Sequence, residues 1–186
     1  FKQHEFSLAL QEIEKLFWSD FCDNYIEIIK DQFFNPANYT VEEIQGTKWT
    51  LHTSLFTILQ MYAPYLPFIS EYLYQLLYKK NHNIESIHLT QFSDAQAHKQ
   101  YAADMQILLH IIAEVRKLKT IEQLSLRTEF TTLTIAAPMQ HHAMLQQQIT
   151  ILKGVCKAQK IVITEQQNVT GLQKNNEEYH ATVMVE

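Results

Sequence analysis

The sequence predicts a mainly α protein with a small α+β C-terminal unit: a helical bundle followed by a small mixed sheet with a packed helix. Three observations carry that expectation. Apolar residues recur at spacings of three and four through the first two thirds of the chain, then alternate in short runs beyond about residue 130. Aromatic usage is lopsided: 9 of the 10 Phe, 7 of the 9 Tyr and both Trp precede Asp94. Charge divides at the same place, with 6 Lys against 12 acids over residues 1–94 and 8 basic against 4 acidic residues over 95–160. The predicted domains are therefore 1–94, a helical bundle, and 95–186, a long helix plus a small α+β subdomain. At 186 residues and 46% hydrophobic, the chain can bury one good core or two smaller ones that share an interface.

The first helix is predicted over about residues 4–33. Phe6, Leu10, Ile13, Phe17, Phe21, Tyr25 and Ile28 form one stripe, widened by Leu16, Ile26 and Ile29. Glu12, Lys15, Ser19, Asp23 and Lys30 occupy the opposite side, and Asn35-Pro36 stops the helix because the residue before proline leaves the α region. A second helix is expected from Thr47 or Thr50, packing Leu51, Leu55, Ile58, Leu59 and Tyr62 and ending near Pro64. Pro67 suits a first helical turn, where a missing N–H costs nothing, and Ile69, Leu73, Leu76 and Leu77 resume the period until Asn81 to Asn83. The rings of YLPFISEYLY are expected in the core. After IESIHLTQFSD, a helix from about Ala95 to Lys119 repeats Tyr101, Met105, Leu108, Ile112 and Val115. Thr132–Ile135, Lys160–Thr164 and Ala181–Val185 read as strands with one wet face. Between the first two, residues 138–155 make an amphipathic helix through Met144, Leu145, Ile149 and Leu152, with Gly154 near its C-terminal end.

Several chemistries find no support. Two cysteines, Cys22 and Cys156, without a CxxC partner suit reduced thiols in a cytoplasmic setting rather than a disulfide framework. No unbroken apolar run approaches 20 residues, so no membrane partner is expected. GxGxxG and Walker A patterns are missing, and the adjacent pair His141-His142 points to different helix faces, so no metal site is expected. The net charge of −5 argues against a general electrostatic grip on nucleic acid, although the basic 95–160 segment, with both arginines, is where phosphate contacts would lie.

The stretch FWSDFCDNYIEIIK (residues 17–30) places Asp20, Asp23 and Glu27 at i, i+3 and i+7. They form either an acid/base pair or a charged rim beside an aromatic core. Phe17, Phe21 and Tyr25 already account for the buried stripe, which favours the rim, and Cys22 reads as packing. No catalytic residue is expected.

The same stretch resembles a segment of valyl-tRNA synthetases in which an aromatic pair, Phe-Cys-Asp and Tyr-Ile-Glu precede a lysine. LHTSLFTILQMYAPYLPFISEYLYQLLY (residues 51–78) is similar to that family's next two helices, through Ala63-Pro64, Pro67-Phe68-Ile69 and Glu71, and IESIHLTQF falls where the family has Glu-Ser-Ile. These segments cover Phe6 to Phe92. Beyond Asp94 the similarity is weaker, resting on VRKLK (residues 115–119) and the helix-then-strand order. The Phe-Cys-Asp and Tyr-Ile-Glu pairing favours the valine enzymes over their isoleucine and leucine relatives.

The resemblance implies an anticodon-binding bundle over 1–94, truncated at its N-terminal side, that holds valine tRNA for a catalytic domain outside these residues. HIGH-like and KMSKS-like motifs are absent here, so ATP and Mg are expected only for the full-length enzyme and no cofactor for this part. Candidate RNA contacts are Arg116, Lys117, Lys119 and Arg127, then Lys153 and Lys157, with Lys48 and Trp49 beside a loop base. For each cation the alternative is an ordinary solvated side chain, and for Trp49 a residue at the core edge. Because the family's bundle has a further helix, part of the first stripe is expected to be uncovered and to drive self-association. The competing function is a helical interaction or oligomerisation domain without an RNA role, which the acidic first part favours. A small enzyme using Asp23 and Glu27 is the third.

Overall fold

The computed structural model describes residues 5–92, 99–165, 171–175 and 178–185. Cα packing divides the chain into one compact unit of residues 1–27 and 39–96, and another of residues 28–38 and 97–186. The expected division at residue 94 thus differs by one segment: residues 28–38 pack with the later part, because Ile28 belongs to that unit's apolar core.

The first unit opens with α1 (Phe6–Lys15), which continues as a π-helical segment, Leu16–Ile26; the helix runs on as α2 (Glu27–Phe34), which from Ile28 onward belongs to the second unit. Asn24 Nδ2 donates to Ser19 O, five residues back, at 3.0 Å. Phe17, Phe21 and Tyr25 stack as rungs 6.4 and 5.9 Å apart. Ile13, Phe21 and Ile28 are buried, as the stripe requires, but Leu16 and Phe6 are exposed.

The next helix, α3 (Val41–Tyr62), begins six residues before Thr47. Its start is a capping box: Glu43 N donates to Thr40 Oγ1 at 3.2 Å, and Thr40 N donates to Glu43 Oε2 at 2.7 Å. The signal was Thr-x-x-Glu at residues 40–43.

Pro67 opens α4 (Pro67–Leu77), followed by the short α5 (Lys79–His82), which closes on left-handed Asn83 (φ 53°). The buried face of α4 is Ser70, Tyr74 and then Tyr78, four residues apart. The expected stripe is displaced by one position, for Ile69, Leu76 and Leu77 are exposed. Tyr74 and Tyr78 go inside because their hydroxyls find acceptors there, donating to Ile84 O at 2.9 Å and His52 O at 2.8 Å. Of the remaining rings in YLPFISEYLY, Phe68 is 90% and Tyr72 64% exposed, contrary to the core assignment. The two family-like motifs turn out to be one lock. The Glu71 carboxylate accepts from Ser86 Oγ at 2.8 Å and Ile87 N at 3.0 Å, and Gln75 Nε2 bridges Glu71 Oε1 to Glu85 O.

The second unit is built on α6 (Lys99–Ile121), β1 (Phe130–Ala136), α7 (Met139–Gln147), α8 (Ile149–Cys156), β2 (Ala158–Thr164), β3 (Gly171–Asn175) and β4 (Glu178–Met184). The sheet order is β2-β1-β4-β3, with β1 parallel to both β2 and β4 and β3 antiparallel to β4. Strand β3 was not expected; its GLQKN sequence has little β-branched content to announce it. The single predicted helix over 138–155 is two, separated at Gln148. Ile111, Phe130, Leu133, Ile135, Leu145, Leu152 and Val183 are wholly buried. Each such apolar side chain contributes about 1.5–3 kcal/mol by burial.

Candidate nucleic-acid interface

Lys119 organises one end of the second unit. It lies in the last turn of α6, is only 2% exposed, and its Nζ sits 4.7 Å above the Phe130 ring centroid. All three ammonium protons are used: Nζ donates to Leu126 O at 3.0 Å, Thr128 O at 2.8 Å and Cys156 O at 3.0 Å. Burial pulls its pKa below the ordinary lysine value. Lys119 is therefore a structural tie, which removes it from the expected RNA contacts; an isolated buried cation would be prohibitively costly without these acceptors.

The tie decides where other cations go. Its two loop carbonyls flank Arg127, and its third belongs to the residue before Lys157. Phe130 N donates to Lys157 O at 2.8 Å, fastening the start of β1 to the end of α8. Arg127 and Lys153 are exposed, with no ionic partner among the described residues. Lys157 is half-exposed and reaches Asp31 Oδ1 at 3.4 Å. Arg116, one turn before Lys119, is partly exposed and close enough to act on the Cys156 thiol, which burial nonetheless pushes up to about 12. The structure thus brings Arg116, Arg127, Lys153 and Lys157 to the same end of the unit. Lys117 points elsewhere and pairs with Glu114 at 3.2 Å on the exposed surface.

Beside these cations lies a polar cleft of about 480 Å³, reached by Asp31, Asn35, Asn38, Lys153 and Lys157. Gly154 permits it: a Cβ there would stand 2.5 Å from Asp31 Cγ and Oδ2. The glycine therefore serves a close approach rather than ending the helix, and the left-handed residue at the helix end is Lys157 (φ 56°). Nothing in the local sequence marks Asp31, 126 positions away from Lys157, as its partner.

In the first unit, Lys48 and Trp49 are the eighth and ninth residues of α3, and both are exposed. Trp49 is 69% exposed, so it is not a core-edge residue. Asp20, Asp23 and Glu27 are all exposed, as the charged rim requires. Burial, and then Asp23, raise the Cys22 thiol, which keeps it protonated and unsuited to nucleophilic work. Among the described residues no group of three or more His, Cys, Asp and Glu side chains is placed to hold a metal. No described helix is long and apolar enough to cross a membrane.

Residues 1–135 match the family model described as the anticodon-binding domain of tRNA ligase. The chain belongs to that family. It is 31% identical over 169 residues to the valine–tRNA ligase of Ehrlichia canis (strain Jake), covering 90% of this chain and 20% of that protein. It is 33% identical over 163 residues to that of Rickettsia prowazekii (strain Madrid E), covering 86% and 19%. The valine–tRNA ligase of Anaplasma marginale (strain St. Maries) is 33% identical over 168 residues, covering 88% and 19%. The chain spans about a fifth of the length of these curated relatives. A mainly α chain with a small mixed sheet, similar to the anticodon-binding region of valyl-tRNA synthetases, is what the residue motifs foretold.

Proposed function

We propose that this chain holds the anticodon stem and loop of valine tRNA isoacceptors, as part of a cytoplasmic ATP-dependent valine–tRNA ligase. The single observation that carries it is the gathering of Arg116, Arg127, Lys153 and Lys157 around the Lys119 tie, in a chain of the anticodon-binding family. Cations fixed on ordered backbone position a phosphate chain, whereas an unstacked base needs an open ring such as Trp49. The acidic first unit repels phosphates and so confines the backbone path to the cationic end. The aminoacylation step, with its ATP and Mg, belongs to other parts of the ligase; these residues only position the RNA.

Equilibrium binding of valine tRNA and of an unrelated tRNA, each at two salt concentrations, tests the proposal. Valine tRNA should bind more tightly and weaken steeply as salt rises. Equal, salt-insensitive binding of both would reject it. Exposed apolar side chains on α1 and α4, among them Leu8, Phe68 and Leu76, also support self-association of the isolated chain. Light scattering across a wide concentration range should show a rising mass; a constant monomer mass would reject this part alone.

A further inference from the structure

We infer that the groove between the π-helical segment and α3 is a site for a small organic cation, an ammonium carried on an apolar body about the size of one ring. The groove has a volume of about 340 Å³, belongs wholly to the first unit, and uses none of the cations of the RNA reading.

The π-helical turn builds it. In an α-helix, residues nine apart lie about 180° round from one another, so Leu16 and Tyr25 would face opposite ways. The wider turn of Leu16–Ile26, closed by bonds between residues five apart, winds more slowly and brings Leu16, Asp20, Phe21 and Tyr25 to one wall. Asn24 Nδ2 repeats that spacing in its bond to Ser19 O. Segments of this kind are rare and gather at functional sites. Here the consequence is a carboxylate set beside rings and aliphatic carbon.

The buried base of the groove is Phe21, 7% exposed, and Ile58, 4% exposed. Two of the hydroxyls along it are engaged: Tyr25 Oη donates to Thr47 O at 3.3 Å, which fixes the ring, and Thr57 Oγ1 donates to Thr53 O, on its own helix, at 3.1 Å. The Asp20 carboxylate is not engaged. Among the described residues it has no hydrogen bond and no ion pair, and no lysine, arginine or histidine lines the groove.

An unpaired carboxylate beside such a wall selects its ligand by charge and by polarity together. The wall withdraws the apolar body from water, the ring faces of Phe21 and Tyr25 attract a cation, and the ammonium pairs with Asp20. A neutral ligand of the same shape gains only the first of these. An anion is repelled, the more so because residues 1–94 carry 12 acids against 6 Lys. The volume lies at the lower end of the range for small-ligand sites, roughly 300–1,000 Å³, which suits a single ring.

NMR titration of the full chain with benzylammonium, benzyl alcohol and benzoate, followed at the Met61 methyl and the Phe21 amide, tests the site. Asp20 is exposed, so its ion pair is screened; with the ring attraction added, benzylammonium should bind about fivefold more tightly than benzyl alcohol. Benzoate should bind at least about twentyfold more weakly than benzylammonium. Asp20→Asn should lower benzylammonium to the affinity of benzyl alcohol, which itself should change by less than about twofold. Thr53→Phe, at an exposed position on the groove, should fill it and weaken both ligands at least about tenfold with the far-UV circular dichroism unaltered. Equal affinity for all three ligands would reduce the groove to an indiscriminate apolar surface and overturn the inference. A preference for benzylammonium that survives Asp20→Asn in full would also overturn it, as would the absence of any shift. Each of these outcomes leaves the tRNA reading where it stands.

Discussion

Replacing Lys119 by methionine keeps the length and apolar stem of the side chain and removes only its ammonium. Three carbonyls lose donors at 3.0, 2.8 and 3.0 Å. Hydrogen bonds from a charged donor contribute about 1.5–3 kcal/mol each, and leaving a buried acceptor unpaired costs about 1–3 kcal/mol. Against this stands the relief of an ammonium's desolvation, several kcal/mol. Leu126 O and Thr128 O lie on an exposed loop and regain water when it relaxes, but Cys156 O is buried and does not. The balance is a loss of about 3 kcal/mol. Denaturant unfolding followed by far-UV circular dichroism reads it, with amide exchange at Phe130 reporting whether the loop has loosened. Lys117→Met, two positions earlier on the surface, is the control and should stay within about 0.5 kcal/mol. If Lys119→Met is as stable as Lys117→Met and Phe130 exchanges no faster, then Lys119 is not the tie that fixes the cationic end.

Other outcomes follow from the same structure. Burial tends to raise the Glu71 carboxyl, but hydrogen bonds from Gln75, Ser86 and Ile87 outweigh it and hold its pKa below the ordinary carboxylate value. The unfolded chain then binds more protons, so this stabilisation is complete above the ordinary carboxylate pKa and is lost as pH falls through the folded one. Glu71→Gln should cost about 1–2 kcal/mol at neutral pH, discounted for solvent screening, and flatten the acid limb of the stability curve below about pH 5; an unchanged limb in a pH series of denaturant melts would count against the lock. Gly154→Ala improves helix propensity by about 1 kcal/mol yet should destabilise by about 1–3 kcal/mol, because the new methyl meets Asp31 at 2.5 Å. Adding Asp31→Ala should recover part of that loss, and a stabilised single variant in thermal melts would refute the close approach. Trp49→Ala should leave stability within about 0.5 kcal/mol but weaken RNA binding by about 1–3 kcal/mol, so an equal fall in both would return Trp49 to the core edge.

What was legible in the sequence was whatever depends on local period and punctuation. The stripe through Ile13, Phe21 and Ile28, the proline at the start of α4 and the alternating strands followed from spacing alone. The motif order came from the resemblance to valyl-tRNA synthetases, and the structure gives it a physical reason, since Glu71 and Ser86 are held together by a hydrogen bond that requires both. The failures share a different cause. The buried face of α4 turned by one position because the Tyr74 and Tyr78 hydroxyls found carbonyl acceptors in the interior, which no hydropathy pattern registers. Lys119 looked like Lys117, yet one is sealed under three carbonyls and the other lies on the surface. Gly154 does lie near the end of its helix, as read, but what requires a glycine there is a carboxylate far away in sequence. The cleft was invisible for the same reason, since its walls come from residues 31–38 and 129–159, which lie far apart in sequence.

The decisive measurement is the slope of log affinity for valine tRNA against log salt concentration, in the unaltered chain and in Arg127→Ala and Lys153→Ala. Each released phosphate contact should reduce the slope by about 0.7–0.9, with affinity falling in step at low salt. Slopes and affinities unchanged in both variants would mean that the cations around Lys119 do not meet the RNA.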